Sequence, residues 1–136
     1  MLNFFLRFSK ENDNQEMKMF VKKTLFKMAQ GGINDRVEGG FHRYTVDNLW
    51  HIPHFEKMLY DNAQLLSIFS KAYKVFKEPR FKEELYNMYN FLELKMSSPN
   101  NLIYSSISAD TNYKDGSKEE GDFYVWKKDE LKQILE

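Results

Sequence analysis

All three histidines of the chain, His42, His51 and His54, fall within one short stretch, with carboxylates nearby at Asp35, Asp47 and Asp61. Imidazoles beside carboxylates are the groups that acid–base chemistry near neutral pH requires. His42, His54 and Asp61 are therefore the candidate catalytic residues. A histidine cluster also raises the question of zinc, but the intervals here are nine and three, with no helical i, i+4 pair and no thiolate. No metal site and no cofactor is expected. The alternative to catalysis is that these histidines form hydrogen-bonding walls of a polar pocket or sit at the edge of the core.

Other residues offer recognition rather than chemistry. Arg43, Asp110 and Glu120 supply the charge and carboxylates that polyol binding uses. Tyr44 and Trp50 supply flat faces on which a sugar ring can stack, as do Tyr124 and Trp126. These are the candidate substrate-binding groups. The glycines at 31, 32, 39 and 40 match no phosphate-cradling loop, nucleophile elbow or dinucleotide fingerprint.

The elements that must position these groups read as mainly α. Asp13 to Glu16 has the spacing of a capping box, and Met17, Phe20, Val21, Leu25 and Met28 recur at helical intervals. This predicts a helix over 14–30, ended by Gly31-Gly32 in the left-handed conformation glycine tolerates. Residues 31–52 read as a loop, and so long an ordered loop in a compact domain is usually functional. Pro53 suits the first turn of a second helix, expected to run over 53–76 with two apolar stripes. That helix would stack His54 over Asp61 at i, i+7 and set Lys57 beside Asp61 at i, i+4. Pro79 opens a third helix over 79–97, antiparallel to the second across a very short link. Short extended pieces are expected near 102–104 and 123–126, a polar loop over 111–121, and the start of another helix over 129–135.

Composition narrows the function classes. Twenty basic and twenty acidic side chains cancel among 136 residues, which argues against nucleic acid as a partner. With 42% hydrophobic and 16% aromatic residues the chain can bury a core, and its length suits one domain. The absence of cysteine excludes disulfides and dithiol redox chemistry within these residues. No apolar run approaches a membrane span, and the apolar start, broken by Asn3 and Arg7, does not read as a signal peptide. The expectation is a cytoplasmic protein with no membrane partner.

Two segments carry a resemblance. Gly31-Gly32-Ile33, Gly39-Gly40-Phe41-His42-Arg43-Tyr44, Asp47, Trp50 and the long run Pro53-His54-Phe55-Glu56-Lys57-Met58-Leu59-Tyr60-Asp61-Asn62 form the first. Ala109-Asp110 and Glu119-Glu120-Gly121-Asp122-Phe123-Tyr124-Val125-Trp126 form the second. Together they resemble an internal segment of the spermatogenesis-associated protein 20 family. The pattern departs at Asn34, Glu38 and Lys127. The resemblance implies a thioredoxin-like domain followed by an (α/α)6 toroid similar to six-hairpin glycosidases, of which residues 1–136 would be part. The rest of the parent protein would then be a partner of these residues. Likeness to N-acylglucosamine 2-epimerase-like barrels implies a cleft for a small carbohydrate, with histidines as acid and base.

Two readings of different class follow. In one, the chain is part of a carbohydrate-binding or sugar-isomerising cleft and is a poor enzyme alone. In the other, it is a non-catalytic helical interaction platform serving a thioredoxin-like domain, or a non-functional truncated gene product. Either way, an isolated set of three helices should leave apolar surface uncovered, chiefly on the second helix.

Overall fold

A computed structural model describes residues 1–135. Five α-helices dominate: α1 Leu2–Glu11, α2 Gln15–Gln30, α3 Leu59–Phe76, α4 Pro79–Leu94 and α5 Lys128–Leu135. Between them lie six short strands in antiparallel pairs. Tyr44–Thr45 (β1) pairs with Pro53–His54 (β2), Lys57–Met58 (β3) with Ser106–Ile107 (β4), and Asp110–Asn112 (β5) with Lys118–Glu120 (β6). The fold is mainly α. None of its helices is long and apolar enough to cross a membrane among the described residues.

The core is the space between α2, α3 and α4. Val21 and Leu25 from α2, Phe69 and Ala72 from α3, and Phe81 and Met88 from α4 are fully buried there. Phe81 packs edge-on against both Phe69 and Phe76, the geometry that ring quadrupoles favour. A two-residue link turns α3 into α4, with Lys77 in the left-handed conformation at φ 57°. Pro79 sits in the first turn of α4, where its missing N–H leaves nothing unpaired.

Both ends of α2 differ from expectation. Asn14, not Asp13, caps α2, its side chain accepting the Met17 amide at 2.9 Å. At the other end Gly31 is extended rather than left-handed. Both glycines there are required for proximity, because the Trp50–His51 backbone lies where their Cβ atoms would be. No helix was expected over the first residues, yet Leu2, Phe5, Leu6 and Ser9 form the stripe by which α1 meets the core.

The predicted helix over 53–76 begins only at Leu59. Residues 53–58 are extended because distant partners take their backbone groups. Arg43 N donates to Glu56 O at 2.8 Å, Lys57–Met58 pairs with Ile107–Ser106, and Leu59 N donates to Ser105 O at 2.9 Å. Long-range pairing here overrides a helical apolar pattern. The helical stacking of His54 and Lys57 on Asp61 therefore does not form.

The later segment differs too. The third helix ends at Leu94, and the polar loop over 111–121 contains the β5–β6 hairpin. Residues 102–104 form no strand beyond a single bridge between Ile103 and Ser97. In place of a strand over 123–126 there is a 3-10 turn, Asp122–Tyr124. The helix near 129–135 is present as α5, and none of its residues is buried. Exposed apolar surface therefore gathers on Phe123, Val125, Trp126 and Ile134 of this region, while α3 is largely covered.

Candidate functional site

The glycine loop folds back on itself. His42 N donates to Ile33 O at 2.8 Å and Asp35 N to Gly40 O at 3.0 Å, with Asn34 and Phe41 bridged between them. Gly39 and Gly40, at φ 83° and 75°, make the return. Glu38 needs no left-handed backbone. Asn34 ties the loop to the helices, its Nδ2 donating to Ala29 O at the end of α2 and to the fully buried Glu84 of α4.

Beneath the loop lies Lys57, without solvent exposure. Its ammonium donates to Asp35 Oδ2 at 2.6 Å and to Gly39 O at 2.9 Å, and it faces the rings of Phe91 and Tyr124 at 4.8 and 5.1 Å. Burial lowers the Lys57 pKa, against the pull of Asp35. Burial would raise that of Asp35, but the Lys57 hydrogen bond and charge outweigh it, aided by the amides of Glu38 and Val37, and the net shift is downward. A buried charge is tolerable only with such a partner.

His42 stands next to this pair and is 3% exposed. Its ring sits edge-on to Phe55 and Tyr124, with centroids 5.3 and 4.9 Å apart. Desolvation, then the positive charge of Lys57, lowers its pKa to about 4, so the ring is neutral at pH 7. Nδ1 lies 3.1 Å from the Phe55 carbonyl, which can only accept. This assigns the proton to Nδ1 and leaves Nε2, with no protein partner among the described residues, carrying a lone pair.

A cleft of about 470 Å3 opens beside it, lined by His42, His51, Asp35, Arg36, Phe55 and Tyr124 among others. Phe55 and Tyr124 stack nearly parallel, centroids 5.4 Å apart, forming an aromatic wall. Burial raises the Tyr124 pKa to about 12, so its phenol keeps its proton. Gly121 permits this wall, because a Cβ there would collide with the Phe55 ring.

The other candidate residues lie apart from this cleft. His54 stacks on Tyr44, centroids 5.0 Å apart, and its Nδ1 meets Glu120 Oε1 at 2.6 Å. Arg43 donates to Glu56 Oε2 at 3.0 Å, and Glu56 also approaches His54 at 3.9 Å. Burial raises the Asp61 pKa despite the nearby Arg43, and its Oδ2 is buried without a partner among the described residues. Asp110 is exposed and pairs across the hairpin with Glu120. Trp50 packs against the core, and its carbonyl accepts the Gly32 amide at 2.6 Å. The fold therefore makes two groups: His42 with His51 and Asp35 at the cleft, and His54 with Tyr44, Arg43 and Glu120 outside it.

Asp35 and His51 had no place among the candidates. Their signal was membership of the same glycine-bounded loop as His42. Lys57 was placed on Asp61 by a helical interval and is instead the buried partner of Asp35.

No protein-family model matches the chain. It is 41% identical over 142 aligned residues to an uncharacterised protein of Caenorhabditis elegans, covering 98% of this chain and 19% of that protein. It is 35% identical over 136 residues to spermatogenesis-associated protein 20 of Mus musculus and of Homo sapiens, covering 99% of this chain and 17% of each. The chain thus spans less than a fifth of the length of these curated relatives. From α1 to α5, glycine loop and cleft included, it resembles a segment of the spermatogenesis-associated protein 20 family.

Proposed function

We propose that the glycine-loop cleft binds a small carbohydrate and that His42 is its proton-accepting base, within a larger (α/α)6 domain of the parent family. The observation that carries this reading is the state of His42. It is neutral, held by the Phe55 carbonyl through Nδ1, and free at Nε2 beside a polar cleft with an aromatic wall. In an epimerisation, Nε2 takes the proton from the carbon next to the sugar carbonyl, and the C–H electron pair moves into an enediolate. His51, lining the same cleft and entering the step as an imidazolium, gives its proton to the opposite face and is left neutral while His42 becomes the imidazolium, and proton exchange with water then resets both rings. The Arg36 guanidinium, which lines the same cleft, would offset charge on the enediolate oxygens.

The test is solvent exchange. Aldoses, ketoses and N-acylated aminohexoses are incubated in heavy water with the chain and, separately, with a full-length relative. Deuterium entering the carbon next to the carbonyl, lost in His42→Gln, is the expected result for the full-length protein. Binding without exchange is expected for this chain alone. No binding and no exchange in either protein rejects the reading.

A second reading, a non-catalytic interaction platform, draws on α5, none of whose residues is buried. Under it, His42→Gln leaves every activity of a full-length relative intact, whereas Trp126→Ser weakens partner association.

A further inference from the structure

A second hollow, of about 490 Å3, lies between α1 and α3 on a different face of the molecule. Phe4 and Val75 provide an apolar lining, and four cations, Arg7, Lys10, Lys71 and Lys74, surround it. No carboxylate is among its lining residues. The arrangement follows from helix geometry. Arg7 and Lys10 share a face of α1 at a spacing of three, and so do Lys71 and Lys74 on α3.

These charges are poorly compensated. Arg7 meets Glu11 at 3.6 Å with both side chains mostly exposed, a pair worth little. Lys71 donates to the neutral Asn3 at 2.9 Å. Lys10 and Lys74 have no ion-pair partner among the described residues. Like charges around one hollow repel, and an anion relieves that repulsion. An apolar lining beneath a cationic rim also selects a ligand with an acyl body and one anionic head. Phe4 is 55% exposed, so there is uncovered ring for such a body to bury.

We infer that the groove between α1 and α3 binds a single-chain fatty carboxylate, its head on the Lys71–Lys74 and Arg7–Lys10 rim and its chain over Phe4 and Val75. The volume falls within the range of small-ligand pockets, roughly 300–1,000 Å3. This site is independent of the carbohydrate cleft.

The test titrates the 136-residue chain calorimetrically with octanoate, decanoate and uncharged decanol, all below their aggregation limits. Decanoate should bind one to one, about fifteenfold tighter than octanoate, the effect of two buried methylenes. Decanol should bind at least about tenfold more weakly than decanoate, the loss of one ionic contact. Lys71→Glu/Lys74→Glu, both at exposed positions, should weaken decanoate and leave decanol unchanged. Ile134→Glu on α5 should change nothing. The proposal is overturned by unsaturable binding, by equal affinity for decanol, by insensitivity to the lysine reversal, or by binding that appears only on anionic phospholipid vesicles.

Discussion

Asn62 brackets the backbone of Phe41: its Oδ1 accepts the Phe41 amide at 2.8 Å and its Nδ2 donates to the Phe41 carbonyl at 3.0 Å. Both residues are fully buried, so these backbone groups have no water to fall back on. The clamp fixes the returning arm of the glycine loop next to His42. Asn62→Ala leaves both groups unpaired and should cost about 3 kcal/mol, read as a lower urea midpoint at unchanged slope.

The Lys57–Asp35 pair should show the asymmetry of buried ions. Lys57→Met strands the Asp35 carboxylate and should destabilise by roughly 3–5 kcal/mol. Lys57→Met/Asp35→Asn removes both charges while keeping the acceptor for the Val37 and Glu38 amides. The double variant should therefore be more stable than Lys57→Met alone, and the cycle should be strongly non-additive by denaturant titration.

His42 should make stability fall in mild acid. Its folded pKa, about 4, lies below the unfolded 6.5, so between these values the unfolded chain binds more protons. Stability is then fully present above about pH 6.5 and declines as pH falls towards 4, by about 3 kcal/mol in all. Asp35, also shifted down, contributes its own loss only below its ordinary carboxylate range. Urea midpoints at pH 7 and pH 5 should differ for the natural chain and much less for His42→Gln.

Gly40 and Gly116 separate two costs of adding a side chain. Both have positive φ, 75° and 86°, but a Cβ at Gly40 would stand 2.5 Å from the buried Phe91 ring while Gly116 faces open space. Gly116→Ala should cost about 1 kcal/mol for backbone strain alone. Gly40→Ala adds the collision and should cost about 2–4 kcal/mol, with thermal unfolding as the readout.

Much of the helical frame was legible, because α2, α4 and most of α3 follow local signals of periodicity, capping and proline placement. What failed was non-local. Residues 53–58 carry a helical apolar spacing, yet Ser105–Ile107 and Arg43 claim their backbone. Phe123–Trp126 has strand composition, but it turns at Gly121 so that Tyr124 can stack on Phe55. The same limit shaped the site. Local reading singled out the histidine-bearing glycine loop, whereas the pairing of Lys57 with Asp35 and the separation of His54 from His42 depend on contacts between distant segments. α1 was a different omission, since its stripe was local and visible.

The central claim concerns one imidazole, and its two ring nitrogens can be observed directly. Nitrogen-15 spectra of the His42 ring, recorded from pH 7 to pH 4 with and without a panel of monosaccharides, should show a neutral ring at pH 6. They should show the proton on Nδ1, titration near pH 4, and an Nε2 resonance that shifts when a bound sugar is added. A ring already protonated at pH 6, a proton on Nε2 instead of Nδ1, or an Nε2 resonance unmoved by every sugar would contradict it.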